Sequence, residues 1–350
     1  MLASKLSVCG RIPITAFVTG LTRPALTRPQ TTPTSLYVRL QLYATETGTG
    51  VGRFAKRKTL KETLMAPATD TPFNIGRGFV AGGAAIGIGA LCFYGLGLSS
   101  TPGALDRSVA WPKHVRHRIR DTYMYFGGGL AVTALTAVAA SRSPALMNFM
   151  MQNSLVSIGG TIAAMIGTGM VARSIPYQKG FGAKQMAWLV HVAVVGAVVA
   201  PLTLLGGPLL VKAAWYTAGV VGGLSAVAVC APSEKFLNMG GLLGAGLGVV
   251  FVSSLGSAFL PPTTALGAGL YSMSIYGGLV LFSLFVLYDT QRIIKKAEEH
   301  PVYAERPFDP VNASIGIYID TVNIFMRIAM IMAGQGRKRK SWYVEKPYHS

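Results

Sequence analysis

Two acidic residues lie in long apolar segments near the C-terminus of the chain. Asp289 ends the run GLVLFSLFVLYDT and Asp320 lies inside SIGIYIDTVNIFMRIAM, whereas the other Asp and Glu residues fall in loops, tails or the N-terminal leader. A carboxylate surrounded by hydrocarbon is costly, so it is normally paired, protonated or in contact with water. The two residues therefore predict a site for a cation or a proton.

Further polar side chains accompany the two acids. Asn323 and Arg327 follow Asp320 by three and seven residues, which places all three on nearly the same side of a helix. Tyr288 stands directly before Asp289. Two structural alternatives remain open: Arg327 neutralises Asp320 as a buried pair, and Asp289 lies solvated at the membrane interface.

The chemistry of the pair depends on how the last two apolar segments fold. If they form a hairpin, the two carboxyl groups come within hydrogen-bonding distance. Two such groups in a low-dielectric site cannot both ionise cheaply, so we expect them to share a proton. Loss of that proton would admit a hard cation, and calcium suits the site because it takes oxygen ligands.

His191, inside MAWLVHVAVVGAVVAPL, is a further candidate for proton chemistry. Histidine changes its charge near physiological pH, so this residue could relay protons or sense pH. The alternative is a histidine that simply packs in the core or at the membrane interface, and this alternative is the more common case.

The elements that position these residues are membrane helices. Apolar residues make up 51% of the chain and charged residues 13%, and the 42 glycines fall inside apolar runs, where they allow close helix packing. We therefore predict an all-α, polytopic membrane helix bundle. The segments long enough to cross a bilayer about 30 Å thick are residues 79–98, 123–140, 154–172, 186–205, 213–230, 240–260, 268–288 and 311–333.

The two ends of the chain differ in composition from the apolar segments. Residues 1–45 are rich in Arg, Ser and Thr and contain no acidic residue, which predicts a cleaved mitochondrial transit peptide. A disordered basic cytosolic tail is the alternative. Residues 46–78 form a basic segment that we expect to face the matrix, and residues 334–350 form a basic C-terminal tail.

The formal net charge of +19 does not indicate nucleic-acid binding, because the Lys and Arg residues flank apolar segments instead of forming a basic domain. Anionic lipid such as cardiolipin is the expected partner of these charges. The three cysteines, Cys9, Cys92 and Cys230, show no paired spacing, so we predict neither a disulfide framework nor a zinc motif. No catalytic triad, phosphate loop or haem motif is present, and we expect neither enzyme activity nor a bound cofactor.

Glycine pairs spaced four residues apart recur in the apolar segments and begin at Gly83, Gly219, Gly240 and Gly244. Such pairs let two helix backbones approach closely. They predict either a homodimer face or, as a bundle of this size needs in any case, packing between helices of one chain.

Three phrases in the C-terminal two-thirds of the chain form a recognisable set: APSEKFLNMGGLLGAGLG, LYDTQRIIKKAE and YIDTVNIFMRIA. With them, residues 123–333 resemble the transmembrane Bax-inhibitor-motif family. The resemblance implies a seven-helix core whose last helix is surrounded by the others, with 79–98 as an extra N-terminal span. It also implies that Asp289 and Asp320 form a pH-sensitive gate for calcium. A basic residue of the family's second core helix that latches one aspartate has only Arg173 as a counterpart here.

Similarity to the mitochondrial member of that family implies an inner-membrane protein that works as a calcium–proton antiporter or as a pH-gated calcium leak. Calcium and protons are then transported ions and not cofactors. The resemblance also implies roles in cristae organisation, cytochrome c retention and apoptosis. The alternative is a non-transporting scaffold that maintains cristae and mitochondrial network morphology through inner-membrane protein partners.

Overall fold

The computed structural model describes residues 59–344 except 97, 100, 153 and 233, and it does not describe the side chains of residues 60 and 335–344. The described residues belong to the compact unit Lys58–Ser350. The predicted transit peptide and the first part of the predicted basic segment, residues 46–58, lie outside them.

Within this described part of the chain every regular element is a helix. Eight longer α-helices and four short ones alternate with turns in the described residues, and short 3₁₀- or π-helical segments occur between them at Ala200–Leu205, Leu237–Met239 and Met273–Gly277. The α-helices in chain order are α1 Leu60–Leu64, α2 Thr71–Gly95, α3 Ala104–Ser108, α4 Lys113–Ser141, α5 Pro144–Met151, α6 Leu155–Ser174, α7 Ala183–Val199, α8 Gly207–Cys230, α9 Gly240–Phe259, α10 Ala265–Ser272, α11 Gly278–Glu299 and α12 Pro310–Val344.

Eight helical stretches in the described residues are long and apolar enough to cross a membrane, which confirms the predicted all-α, polytopic bundle. Two of them extend well beyond the apolar segments: α4 begins at Lys113 and α11 continues to Glu299. Both extensions are amphipathic, since Val115, Ile293 and Ala297 are buried while charged neighbours face outward. Apolar length alone underestimates such helices because their charged turns lie outside the hydrocarbon.

The last helix, α12, lies at the centre of the bundle. It packs against α4, α6, α7, α8 and α11, and its buried residues occur around its circumference. This arrangement confirms the expected core in which the last helix is surrounded by the others. The helix continues to Val344, into the region predicted as a basic tail.

The extra N-terminal span corresponds to α2, which packs on the outside of the core against α8, α10 and α11. Its first turns are held closely: Ser272 Oγ donates to the Pro72 carbonyl at 2.7 Å, and Gly76 faces the ring of Tyr276, where any Cβ would overlap it. The opposite side of α2 exposes large apolar residues, as expected of a helix in contact with lipid.

The recurring glycine pairs occupy two kinds of position. Gly83 faces Val280 at 3.9 Å from its ideal Cβ position, so this pair serves packing within the bundle. The ideal Cβ positions of Gly219, Gly223, Gly244 and Gly248 meet no heavy atom within 4 Å. Those glycines lie on open helix surfaces of the described chain, and the homo-oligomer stays a prediction.

Candidate ion site between the last two helices

The hairpin of α11 and α12 brings Asp289 and Asp320 to the same depth. Asp289 lies ten residues before the end of α11 at Glu299, and Asp320 lies ten residues after the start of α12 at Pro310. At 1.5 Å per residue, each is about 15 Å from the turn that joins the helices. The antiparallel arrangement therefore places the two carboxyl groups opposite each other.

The two carboxyl groups contact each other inside the protein. Their side chains lie next to each other, and the residues are only 6% and 5% exposed. Asp320 Oδ2 is buried, and no N–H or hydroxyl group of the described residues donates to it. A hydrogen bond between two carboxyl groups needs one proton, so the pair is arranged to share one.

Gly316 makes room for this pair. It lies four residues before Asp320 on α12, and a Cβ built there would overlap the Asp289 carboxylate, with Asp289 Cγ only 2.8 Å away. Glycine is thus the residue that lets the carboxylate of α11 lie directly against the backbone of α12.

Asp289 also has a cationic partner on its own helix. Arg292 Nη1 lies 3.6 Å from Asp289 Oδ1, and the Arg292 side chain is 44% exposed. The alternative of a solvated Asp289 is therefore wrong, because the carboxylate is buried beneath this arginine. Arg292 stands between Asp289 and the exterior at the Glu299 end of α11.

Arg327 does not neutralise Asp320. Its Nε donates to the Ser274 carbonyl at 3.0 Å, and its Nη1 donates to the carbonyl and to Oδ1 of Asn323 at 3.0 and 2.8 Å. Among the residues that the structure describes, no carboxylate forms an ion pair with it. Asn323 accordingly holds Arg327 and not Asp320.

Three other candidates, Tyr288, Arg173 and His191, lie apart from the aspartate pair. Tyr288 packs on Gly240 of α9. Arg173 is exposed at the end of α6, where its carbonyl accepts a hydrogen bond from Asn312 Nδ2 at 3.1 Å. The structure thus pairs Asp289 with Arg292 and not with Arg173, the counterpart of the family's latch residue.

His191 is buried on α7, where its Nδ1 lies 3.1 Å from Thr168 Oγ1 and its ring meets the edge of Tyr318. Its Nε2 is buried and has no hydrogen-bond partner in the described chain. The histidine therefore belongs to the interface of α6, α7 and α12, and no contact joins it to either aspartate.

Gln291 is a structural residue of this region that the sequence reading did not single out. Its Nε2 donates to the carbonyls of Ala228 and Pro232 at 3.2 and 2.9 Å, and its Oε1 accepts from the Phe236 backbone N–H at 2.9 Å. The side chain thereby ties α11 to the turn between α8 and α9. Its position in the phrase LYDTQ was the available signal.

Replacing Gln291 by leucine is expected to leave three buried backbone groups without partners. The expected loss is about 2 kcal/mol of stability, or a decrease of about 5 °C in the unfolding temperature of a protein of this size. Thermal unfolding in detergent micelles measures it. The exposed Gln178→Leu is the matched control, and equal unfolding temperatures for the two variants would contradict the structural role of Gln291.

Lys184 is a second residue that the sequence reading missed. It is 1% exposed, and its Nζ lies 2.8 Å from Asp309 Oδ2, 2.8 Å from Asn312 Oδ1 and 2.9 Å from the Ile175 carbonyl. The ammonium therefore joins the end of α6 and the start of α7 to the start of α12. Its place at the edge of an apolar segment suggested only a residue that flanks the membrane.

The acidic ligands that the site offers are the two carboxylates of Asp289 and Asp320. No group of three or more His, Cys, Asp or Glu residues comes together in the described chain. A calcium ion between Asp289 and Asp320 would take the two carboxylates and complete its shell with backbone carbonyl or water oxygens.

Known proteins are similar to the same segment of the chain that contains the aspartate pair. The family model described as inhibitor of apoptosis-promoting Bax1 matches residues 115–337, which include both aspartates. Growth hormone-inducible transmembrane protein of Rattus norvegicus is 58% identical over 301 residues, 85% of this chain and 87% of that protein. Bax inhibitor 1 of Oryza sativa subsp. japonica is 27% identical over 206 residues, 57% of this chain and 77% of that protein.

The human Bax inhibitor 1 is 32% identical over 113 residues, 32% of this chain and 43% of that protein. No solved structure matches the chain. The family match spans the central helix, the hairpin and the aspartate pair, while α2 precedes it. The chain therefore belongs to the Bax inhibitor family of multi-pass membrane proteins.

Proposed function

We propose that this protein is a calcium–proton antiporter of the mitochondrial inner membrane and that Asp289 and Asp320 form its exchange site. One observation carries the proposal: two neighbouring carboxyl groups are buried inside a bundle of membrane helices, and Asp320 Oδ2 has no hydrogen-bond partner in the described residues. Groups so costly to bury are typical of ion and proton pathways.

The pair alternates between a proton and a calcium ion. With one shared proton, the two carboxyl groups hold each other and the site is closed. When the proton leaves, the two adjacent negative charges repel each other and bind a divalent cation, which neutralises both. A proton that returns removes one of these charges and releases calcium. Arg292, half-exposed above Asp289, must move aside when calcium enters from that end.

The inner-membrane location rests on the leader composition and on the family resemblance, and basic loops would bind cardiolipin there. Roles in cristae organisation, cytochrome c retention and apoptosis belong to the same proposal. The apoptosis role is supported by the names of the matched family and of Bax inhibitor 1. We propose no enzymatic activity and no bound cofactor.

Substitution of the aspartates in purified protein tests the exchange site. In liposomes with an imposed pH gradient, Asp289→Asn and Asp320→Asn are each expected to lower calcium flux by about tenfold or more, since an amide neither releases the shared proton nor balances a divalent charge. Glu305→Gln, which removes an exposed acid from the loop between α11 and α12, is expected to leave the flux unchanged.

Three outcomes separate the possible functions. Flux that depends on both aspartates and on the pH gradient supports exchange. Flux that depends on the aspartates but is driven by the calcium gradient alone indicates a pH-gated leak. If the native protein carries no calcium, or if neither substitution changes the flux, the transport proposal is lost and a non-transporting scaffold is favoured.

A further inference from the structure

His191 is a buried titratable side chain that the exchange site does not use. It is 3% exposed on α7, and its Nδ1 lies 3.1 Å from Thr168 Oγ1 of α6. The Thr168 hydroxyl has a single hydrogen, which it donates to the Ala164 carbonyl at 2.7 Å. Thr168 Oγ1 therefore accepts from His191, so the hydrogen of the neutral ring is on Nδ1 and Nε2 is a bare acceptor.

The surroundings of Nε2 suit only a neutral ring. The atom is buried and has no hydrogen-bond partner in the described chain. The ring faces Tyr318 of α12 at a centroid distance of 6.4 Å, but the Tyr318 hydroxyl is bonded to Thr133 Oγ1 of α4 at 2.5 Å. Among the described residues no carboxylate pairs with His191, and the charge that acts on it is that of Arg173, at the end of α6. A proton on Nε2 would therefore create a buried cation whose new N–H has no acceptor.

The helix that faces this ring, α6, lies at the edge of the bundle. Its buried residues are Ser157 and Ala172, and it packs mainly on α7. Gly169 brings the backbone of α6 directly over the imidazole, since a Cβ there would lie 3.2 Å from His191 Cε1. The hydrogen bond from His191 to Thr168 thus joins α6 to α7 in the interior of both helices.

We propose that His191 is a second proton-binding site, separate from the aspartate pair, and that a proton on its Nε2 releases α6 from α7 and α12. The closed arrangement needs the neutral ring, because a buried donor without an acceptor is costly and the like charge of Arg173 adds repulsion. When α6 moves away, the ring reaches water and takes up a proton at about pH 6.5, as an ordinary histidine does.

Distances between spin labels on α6 and α4, measured by electron paramagnetic resonance, test the switch. Ile166→Cys and Leu135→Cys place the labels at exposed positions of these helices, in a protein whose three native cysteines are replaced by serine. The released state binds one more proton, so the ratio of released to closed molecules is expected to rise about tenfold from about pH 7.5 to about pH 5.5. A distance distribution that is the same at both pH values overturns the inference.

Single substitutions in the labelled protein identify the group that takes the proton. In His191→Asn, an amide N–H replaces Nδ1–H as the donor to Thr168 but takes no proton, so α6 is expected to stay closed at both pH values. His117→Asn, which removes an exposed histidine of α4, and Asp320→Asn are expected to keep the native response. An undiminished response in His191→Asn contradicts the proposal, and a response lost in Asp320→Asn assigns it to the aspartate pair instead.

A second variant decides the question if His191→Asn does not fold. Thr168→Val keeps the shape of the side chain and removes the acceptor of Nδ1–H, so the ratio of released to closed molecules is expected to rise about fivefold at about pH 7.5. Unchanged distances in folded Thr168→Val would show that this bond does not hold α6, and the inference would be lost. The proposed exchange fails separately, on calcium flux, because the distances are measured without calcium.

Discussion

Gly316→Ala is expected to lower coupled calcium transport strongly although both aspartates remain. A Cβ at this position would overlap the carboxylate of Asp289, which must then rotate away, so that the two carboxyl groups no longer share a proton. We expect calcium flux under a pH gradient to fall by about tenfold or more, as for a reacting group displaced by about 1 Å. Flux in liposomes measures it.

The effect on folding is expected to be small by comparison. Alanine favours helix over glycine by about 1 kcal/mol, which offsets much of the cost of about 1–3 kcal/mol for overpacking. Gly167→Ala is the matched control, because a Cβ at that position of α6 meets no heavy atom within 4 Å. Native flux in Gly316→Ala would show that the close approach of Asp289 to α12 is not required.

Lys184→Met is expected to have the largest effect on stability. The substitution keeps most of the side-chain volume but removes a buried ammonium, so Asp309 loses its cation and Asn312 and the Ile175 carbonyl lose a donor. Breaking a buried pair by removing one partner costs about 3 kcal/mol or more. Unfolding by sodium dodecyl sulfate in mixed micelles gives the free energy.

Lys179→Met provides the comparison, because Lys179 is exposed in the turn between α6 and α7. Its free energy of unfolding is expected to stay within about 0.5 kcal/mol of the native value. The same small change in Lys184→Met would mean that the start of α12 is held by packing alone, and the electrostatic role of Lys184 would be wrong.

The two variants separate local geometry from the support of the central helix. Gly316 acts through the distance between two carboxyl groups, whereas Lys184 acts through the start of α12, the helix that carries one of them. Gly316→Ala should therefore change transport more than stability, and Lys184→Met should change stability first. Measuring both quantities on both variants distinguishes the two roles.

Much of the architecture followed from local properties of the chain. Each apolar segment is long enough to span a bilayer on its own, and the structure confirms eight such helices in the described residues. The ends were less accurate, because α4 and α11 extend into charged turns that bury only one side. Segment length measures contact with hydrocarbon and not the full length of a helix.

The candidate site was predicted only in part. Asp289 and Asp320 stood out because each is costly in an apolar segment, and the structure brings them into contact. The alternative in which Arg327 neutralises Asp320 was wrong, since Arg327 bonds to Ser274 and Asn323. The Ser274 carbonyl that accepts from Arg327 lies in a π-helix of another segment, and no residue spacing within α12 indicates this contact.

By itself, the sequence determined that this protein is a bundle of membrane helices with two buried acids in its last two spans. The reason is that hydrophobicity, helix length and the cost of a buried charge depend on residue type and near neighbours. Only the tertiary structure decided that Arg292 covers Asp289, that Gly316 receives its carboxylate and that Arg327 bonds to Ser274 and Asn323 instead of Asp320. Such contacts join residues distant in sequence, and their geometry comes from helix packing.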